Sequence, residues 1–345
     1  MIEFDLEYFR ELAKDVFTCD SPTGYTKKVI ELCKSYVDSF GFDTKVLNNG
    51  ALEVFIKGAD SSKVVATSAH VDTLGLMVRS IKGNGNLALT KLGGPITPTL
   101  DGEYCKVYTR DGKIYKGTIL STSPATHVYP DANTKPRDID NLEVRIDELV
   151  HSKEDVVALG IENGDIVCYD PKFEITESGF LKTRFIDDKA CAAVLLTAMK
   201  SIRKNKVQPK RKIYAYFALY EEIGHGTTWL PEDTKDILAI DIAPTGPEQN
   251  SDERKVSIFA KDSRFPYHET MTNEIRKVAI KNKIDYVMDI FTPHYGTDAD
   301  GSVMAGHDVR HAAIGPGTAN SHGYERTHID GLKNTYLLLM EYLMK

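Results

Sequence analysis

The chain has no Cys-x-x-Cys spacing, and its five cysteines, Cys19, Cys33, Cys105, Cys168 and Cys191, are odd in number and scattered. This argues against a disulfide framework and a zinc–thiolate site; the cysteines read as reduced core residues of a cytoplasmic protein. A long hydrophobic run is also missing. The longest, residues 191–199, is broken by a threonine and is far too short to span a bilayer. Residues 1–7 carry acids where a signal peptide has a basic start and an apolar stretch, so no secretory signal is expected. An excess of positive charge is missing as well. The formal net charge of −7 speaks against a general affinity for nucleic acid or anionic membrane.

What is present is an ordinary globular mixture, 41% hydrophobic and 27% charged over 345 residues, enough for one large domain or two. Residues 4–41 read as two amphipathic helices, with Leu6, Phe9, Leu12, Ala13 and Phe17 on one stripe and Val29, Leu32, Cys33, Tyr36 and Val37 on the other. Ser21-Pro22-Thr23-Gly24 separates them, with Ser21 or Thr23 as candidate cap of the second. Strands are expected at 43–46, 51–56 and 64–69. Between Leu74 and Phe173 helical stripes nearly vanish and short alternating runs are punctuated by Gly, Asp and Asn, the pattern of a small all-β unit. There Gly83-Asn84-Gly85 reads as a hairpin turn rather than half of a dinucleotide fingerprint.

After Phe180 strand and helix alternate again. Helices are expected at 190–202, 268–282 and 331–344, strands at 212–220, 237–242 and 309–314, and a polar loop at 244–253. The expected architecture is one α/β domain, residues 1–73 and 174–345, interrupted by a β-rich insertion over 74–173.

Several apolar runs end in residues that bind cations. The run at 212–220 ends in Glu221-Glu222, and on an extended chain neighbouring carboxylates would point apart and hold different tasks. Residues 64–69 lead into His70-Val71-Asp72, where Asp72 could support the His70 ring. Asp187-Asp188 precedes a helix, Asp241 ends a strand, and His322 follows a Gly-Pro-Gly loop. Each alone is unremarkable: acids cap helices, and a lone His-x-Asp is an ordinary hydrogen-bonded pair. Together they place imidazoles, carboxylates and a spare Glu at the carboxyl edge of an α/β sheet, where sites are built. A set without thiolate suits zinc, cobalt or manganese. Two cations sharing one Asp would acidify a water and polarise a carbonyl, with an unligated Glu shuttling the proton to a leaving amine.

At these residues the chain resembles the co-catalytic metallo-aminopeptidases typified by glutamyl aminopeptidase and the tetrahedral (TET) aminopeptidases, over essentially its whole length. Ser21-Pro22-Thr23-Gly24 resembles their early Ser-Pro-Ser-Gly turn, and Ala69-His70-Val71-Asp72-Thr73-Leu74-Gly75 their Ala-His-x-Asp-Glu-x-Gly box. Ile186-Asp187-Asp188-Lys189 and Glu221-Glu222-Ile223-Gly224 match two further boxes, and Lys91-Leu92-Gly93-Gly94 and Ala158 through Asp165 resemble the inserted β domain. By position, the resemblance makes His70 and Asp241 ligands of one metal, Glu222 and His322 ligands of the second, and Asp187 the bridge. Glu221 becomes the general base, and Asp72 orients His70.

The resemblance implies a peptidase-type α/β/α domain with a mixed sheet, interrupted by a small β-barrel-like insertion that serves dimerisation or as a lid. It implies two divalent ions, zinc or cobalt, short peptide substrates, a cytoplasmic location and a dimer-based homo-oligomer of up to twelve subunits. Two departures stand out: Thr73 replaces a Glu, and His322 is followed by Gly-Tyr-Glu, which leaves His328 as the alternative ligand. The family's old endoglucanase label does not suit this set, since a glycosidase needs two carboxyl groups facing a sugar bond. A metal-dependent deacylase of small N-acyl substrates and an inactive assembly scaffold are the competing readings.

Overall fold

The computed structural model describes residues 1–345. They form two compact units, Met1–Asp72 with Lys172–Lys345, and Thr73–Pro171. The chain is mixed α/β, with a large mixed sheet in the first unit and a closed six-stranded barrel in the second. The barrel strands are Gly75–Ile81, Leu87–Leu92, Tyr104–Tyr108, Ile114–Ser121, Leu142–Ile146 and Ile166–Tyr169, all paired antiparallel. Gly85, at φ +83°, turns the chain between the first two strands, as the hairpin reading required. One short helix, Lys153–Ala158, closed by a Ser152–Asp155 capping box, departs from the all-β expectation there.

In the large sheet the strand order is Asp43–Val46, Leu52–Ile56, Arg211–Ala218, Asp60–His70, Asp236–Ile240, Arg310–Thr318, Val256–Lys261 and Tyr286–Ile290, and Ala243–Pro244 adds a short ninth pairing. Arg211–Ala218, Asp60–His70, Asp236–Ile240 and Arg310–Thr318 are mutually parallel, so their carboxyl ends emerge along one edge. These strands are buried on both faces, which explains their near-continuous apolar sequence. In Asp236–Ile240, Leu238 and Ile240 join one core while Ile237 and Ala239 join the other. The larger core takes side chains from helices Leu6–Thr18, Lys27–Phe40, Ile186–Lys204, Glu269–Asn282 and Ile329–Leu343; Ala299 of the short helix Asp298–Met304 joins the other.

Three expectations are corrected. Neither Ser21 nor Thr23 caps the second helix, whose N-cap is Thr26 without a side-chain bond; both hydroxyls instead donate toward the segment after His70. The Gly315-Pro316-Gly317 stretch is not a loop but the end of the strand Arg310–Thr318. Its glycines permit close approach: a Cβ on Gly315 would lie 1.4 Å from the Asp241 carbonyl oxygen, and one on Gly317 2.1 Å from that of Asp252. The strands Val256–Lys261 and Tyr286–Ile290 and the helix Asp298–Met304 were not anticipated, because their apolar runs are short and interrupted by polar residues.

Because Gly315 abuts backbone rather than a flexible side chain, Gly315→Ala is expected to cost about 3 kcal/mol or more. Chemical denaturation read by circular dichroism checks this.

Candidate active site

Of the seven side chains nominated from the sequence, six come from segments at the carboxyl edge of the large sheet, and Asp187 follows Phe180–Thr183 of a separate three-stranded sheet. His70 is the last residue of its strand, and Asp241 directly follows Ile240 on the neighbouring strand. Glu221 and Glu222 lie three and four residues after Ala218, but they are not extended as expected. Tyr220 and Gly224, at φ +66° and +78°, bracket a 3₁₀ turn at Glu221–Ile223. Asp187 and Asp188 open the helix Ile186–Lys204 with non-helical dihedrals, at ψ 105° and 27°, so both precede its regular part. His322 stands at φ +65° in the turn after Arg310–Thr318.

His70 is fully enclosed, and its Nδ1 lies 2.9 Å from the Asp72 carbonyl oxygen. A carbonyl only accepts, so Nδ1 carries a proton, and Nε2 is the ring nitrogen that faces the site and would bind a cation once it has lost its own proton. The Asp72 carboxylate sits 3.6 Å from Nδ1 and accepts from Thr23 Oγ1 at 2.7 Å and from the Glu221 amide at 3.3 Å. Ser21 Oγ donates to the Val71 carbonyl at 2.7 Å. The early Ser-Pro-Thr-Gly turn is therefore a brace behind His70.

Asp187 joins the two halves. Its Oδ1 lies 3.0 Å from His70 Nε2, and its Oδ2 lies 3.6 Å from His322 Nε2. Glu222 Oε2 lies 3.6 Å from the same His322 nitrogen, while Glu222 Oε1 is buried with no hydrogen-bond partner. Glu221 Oε2 lies 3.7 Å from His70 Nε2. Two groups of donor atoms, from His70, Glu221 and Asp241 and from His70, Asp187 and Glu222, each fall within 4.8 Å of one another. With Gly224, Ser263, Arg264, Pro293, His294, Tyr295 and Gly296, these acids and His322 line an open cavity of about 320 Å³.

The electrostatics are those of too much negative charge in a dry place. Burial pushes the Glu221 carboxyl up to about 8, with the nearby acids adding to the shift and His70 opposing it. Burial and the charge of Asp187 hold Glu222 well above the carboxylate range, and burial with Asp188 and Asp187 does the same to Asp241. Asp187 goes the other way: burial alone would raise it, but the two imidazoles hold it well below its ordinary value. Burial opposes charge on His70, yet Asp187, Asp72 and Glu221 raise it well above the ordinary imidazole value. A divalent cation fits this set: the donors are nitrogen and oxygen, His70 Nδ1 is tied back so that Nε2 faces the site, and a buried carboxylate oxygen has nothing else to bind.

His328, the alternative to His322, is engaged elsewhere, with Nδ1 accepting from the Asp330 amide and Nε2 2.9 Å from the Ser178 carbonyl. His294 and Gly296 line the cavity, but Asp298 does not; it is buried, accepting from Ser68 Oγ at 2.5 Å and the Thr227 amide at 3.0 Å. Sequence reasoning missed Arg264 and Tyr295 as wall residues, and Glu325 as a contact of the ligand segments. Only the last carried a signal, the Glu three residues after His322.

The family model for M42 glutamyl aminopeptidases matches residues 50–338. YhfE of Bacillus subtilis (strain 168), assigned as an aminopeptidase, is 40% identical over 334 residues, covering 96% of each chain. Among solved structures, the TET aminopeptidase of Thaumarchaeota archaeon SCGC AB-539-E09 superposes with a TM-score of 0.88 at 21% identity, covering 98% of this chain and 97% of that one. The TET1 peptidase of Pyrococcus horikoshii, which can assemble into a tetrahedron or a large octahedral shell, gives 0.86 at 23% identity, covering 98% and 99%.

Crowded buried carboxyls predict that zinc or cobalt raises the thermal midpoint in a concentration-dependent way, by the equivalent of about 2.7 kcal/mol at a hundredfold excess over Kd. His70→Ala should abolish most of that shift, as differential scanning fluorimetry would show.

Proposed function

From the premise that the chain belongs to the M42 glutamyl aminopeptidase family of peptide-hydrolysing enzymes, we propose that it is a dinuclear metal-dependent aminopeptidase removing N-terminal residues from short peptides. The observation that carries this reading is the Asp187 carboxylate, whose two oxygens face two different imidazoles at 3.0 and 3.6 Å, as a bridging ligand would. His70 and Asp241 would complete one ion's ligands, and Glu222 and His322 the other's. When bound, the two ions, zinc or cobalt, supply Lewis acidity at the scissile carbonyl and lower the pKa of water.

Glu221 then acts as the general base. It stands beside His70 without being wedged between imidazoles, and its carboxyl faces the cavity. It takes a proton from the attacking water and passes it to the leaving amine, so the same oxygen serves both half-steps. Asp72 keeps His70 in the tautomer that leaves Nε2 unprotonated. We place the enzyme in the cytoplasm as a homo-oligomer, with the barrel unit Thr73–Pro171 as its dimerisation or lid module. The assemblies described for Pyrococcus horikoshii TET1 support the oligomer.

The cavity wall supports a narrower substrate choice. Arg264 lines it, makes no ion pair, and spends one guanidinium bond on Met304 Sδ at 3.3 Å. Glycines flank it: a Cβ on Gly224 would lie 2.7 Å from Nη2, and one on Gly296 3.5 Å from Cζ. A guanidinium that pairs directly with no carboxylate, although its charge acts on the Asp300 carboxyl, suits an acidic N-terminal residue.

Glu221→Gln is expected to retain both ions and lose about 10²–10⁴-fold in kcat; near-native turnover with ions bound, by stopped assay and elemental analysis, would refute the base assignment. Arg264→Met should raise KM about tenfold or more for peptides beginning with Glu or Asp, with far less effect on those beginning with Leu. A panel including N-acetylated peptides also tests the deacylase alternative: cleavage of blocked substrates alone would overturn the aminopeptidase reading.

A further inference from the structure

We infer that Glu325, which does not line the cavity, is the positioning residue that fixes the place of the ion held by Asp187, Glu222 and His322. The inference rests on the dinuclear reading above. Glu325 is 2% exposed. Its Oε2 accepts from the Asp187 amide at 3.0 Å and its Oε1 from the His322 amide at 3.0 Å. One carboxylate therefore holds the peptide planes of two ligand residues that lie 135 positions apart in the chain (322 − 187).

The surrounding backbone shows why such a clamp is needed. His322 sits in a tight reversal closed by the paired Ala319 and Arg326 amides and carbonyls, with Asn320 and His322 both left-handed at φ +59° and +65°. A non-glycine residue holds that conformation at some cost, so something must over-determine it. On the other side, Asp187 opens its helix with non-helical dihedrals, and its amide donates to Glu325. Thr183 pairs with Glu325 in the small sheet of Glu174–Ile175, Phe180–Thr183 and Glu325–His328. The buried Arg184 guanidinium donates to the Gly323 carbonyl at 3.1 Å. Segments 183–187 and 322–325 are thus cross-locked, and Glu325 is the member that touches both ligand residues directly.

The chemistry at this position is specific to a carboxylate. Two amide donors require two acceptor oxygens on one planar group. Gln keeps one and turns an N–H₂ against the other amide, leaving a buried donor facing a donor. Partners that orient ligands in this way typically govern 10–100-fold in metal affinity.

The test is zinc binding by equilibrium dialysis with elemental analysis, plus the visible spectrum of the cobalt-substituted protein, on the full-length chain and on Glu325→Gln. The expected result is one zinc weakened about 10–100-fold, the other, which shares only Asp187, weakened far less, a changed ligand-field band for the first site's cobalt, and recovery of turnover at high zinc. Retention of both ions at native affinity, or equal loss of both, overturns the inference. If Glu325→Gln does not fold, Glu325→Asp carries the same expectation, because its shorter arm cannot reach both amides; failure of both to fold makes Glu325 a folding residue and also overturns it. If the unmodified chain binds fewer than two ions, it is the dinuclear reading that fails instead.

Discussion

Everything at this site follows from the position of the Asp187 carboxylate between two imidazoles. It is held well below its ordinary pKa because an imidazole faces each of its oxygens. Around it, Glu221, Glu222 and Asp241 are pushed toward their neutral forms by burial and by one another. A fold that gathers carboxylates where they cannot ionise alone spends stability, unless positive charge restores them. Two histidines cannot balance that set, whereas the two divalent ions proposed above would.

The sheet supplies the meeting point, and residues remote in sequence supply the precision. Three parallel strands deliver His70, Glu221 with Glu222, and Asp241 to one edge, yet each arrival is pinned from outside its own strand. Thr23 and Ser21 brace the His70–Asp72 segment from the first interhelical turn. Asp298 ties Ser68, two residues before His70, to the loop that follows Glu222. Gly315 allows its strand to lie directly against the Asp241 carbonyl. These contacts are hydrogen bonds and close backbone approaches rather than apolar packing, which suits a region that must keep polar atoms in order without filling the space a substrate needs.

The fold class was legible because its signals are local. Helical stripes such as Phe9, Leu12 and Ala13, buried β runs ending at His70 and Asp241, and turn-punctuated short strands between them all survive in the structure. The nominated side chains lie close together; most follow a strand whose end is easy to read, whereas Asp187 was signalled only by the helix it precedes. What was lost depended on distance. Ser21 and Thr23 look like caps until the chain folds them against Val71 and Asp72, and Arg264 has no local pattern that marks it as a wall. Gly315-Pro316-Gly317 mimics a loop because the reason for its glycines, the backbone of Asp241 and Asp252, lies in other segments.

The pair Glu221-Glu222 shows how a correct meeting of residues can come from a different local geometry. On a strand the two would diverge by pleating, but they occupy a 3₁₀ turn between two left-handed residues, where neighbours diverge by about 120°. The consequence is asymmetric. Glu222 turns inward, its side chain 3% exposed and one oxygen unpartnered, beside His322. Glu221 keeps 15% of its side-chain surface and stays on the His70 and Asp241 side. An ion's ligand gains from enclosure, since nothing then competes for its lone pairs. A base must give back what it takes, and so needs a path to water and to the departing amine. The turn therefore separates the two carboxylates by access rather than by direction alone, and that difference supports the proposal that gives the inner one to the metal and the outer one to the proton.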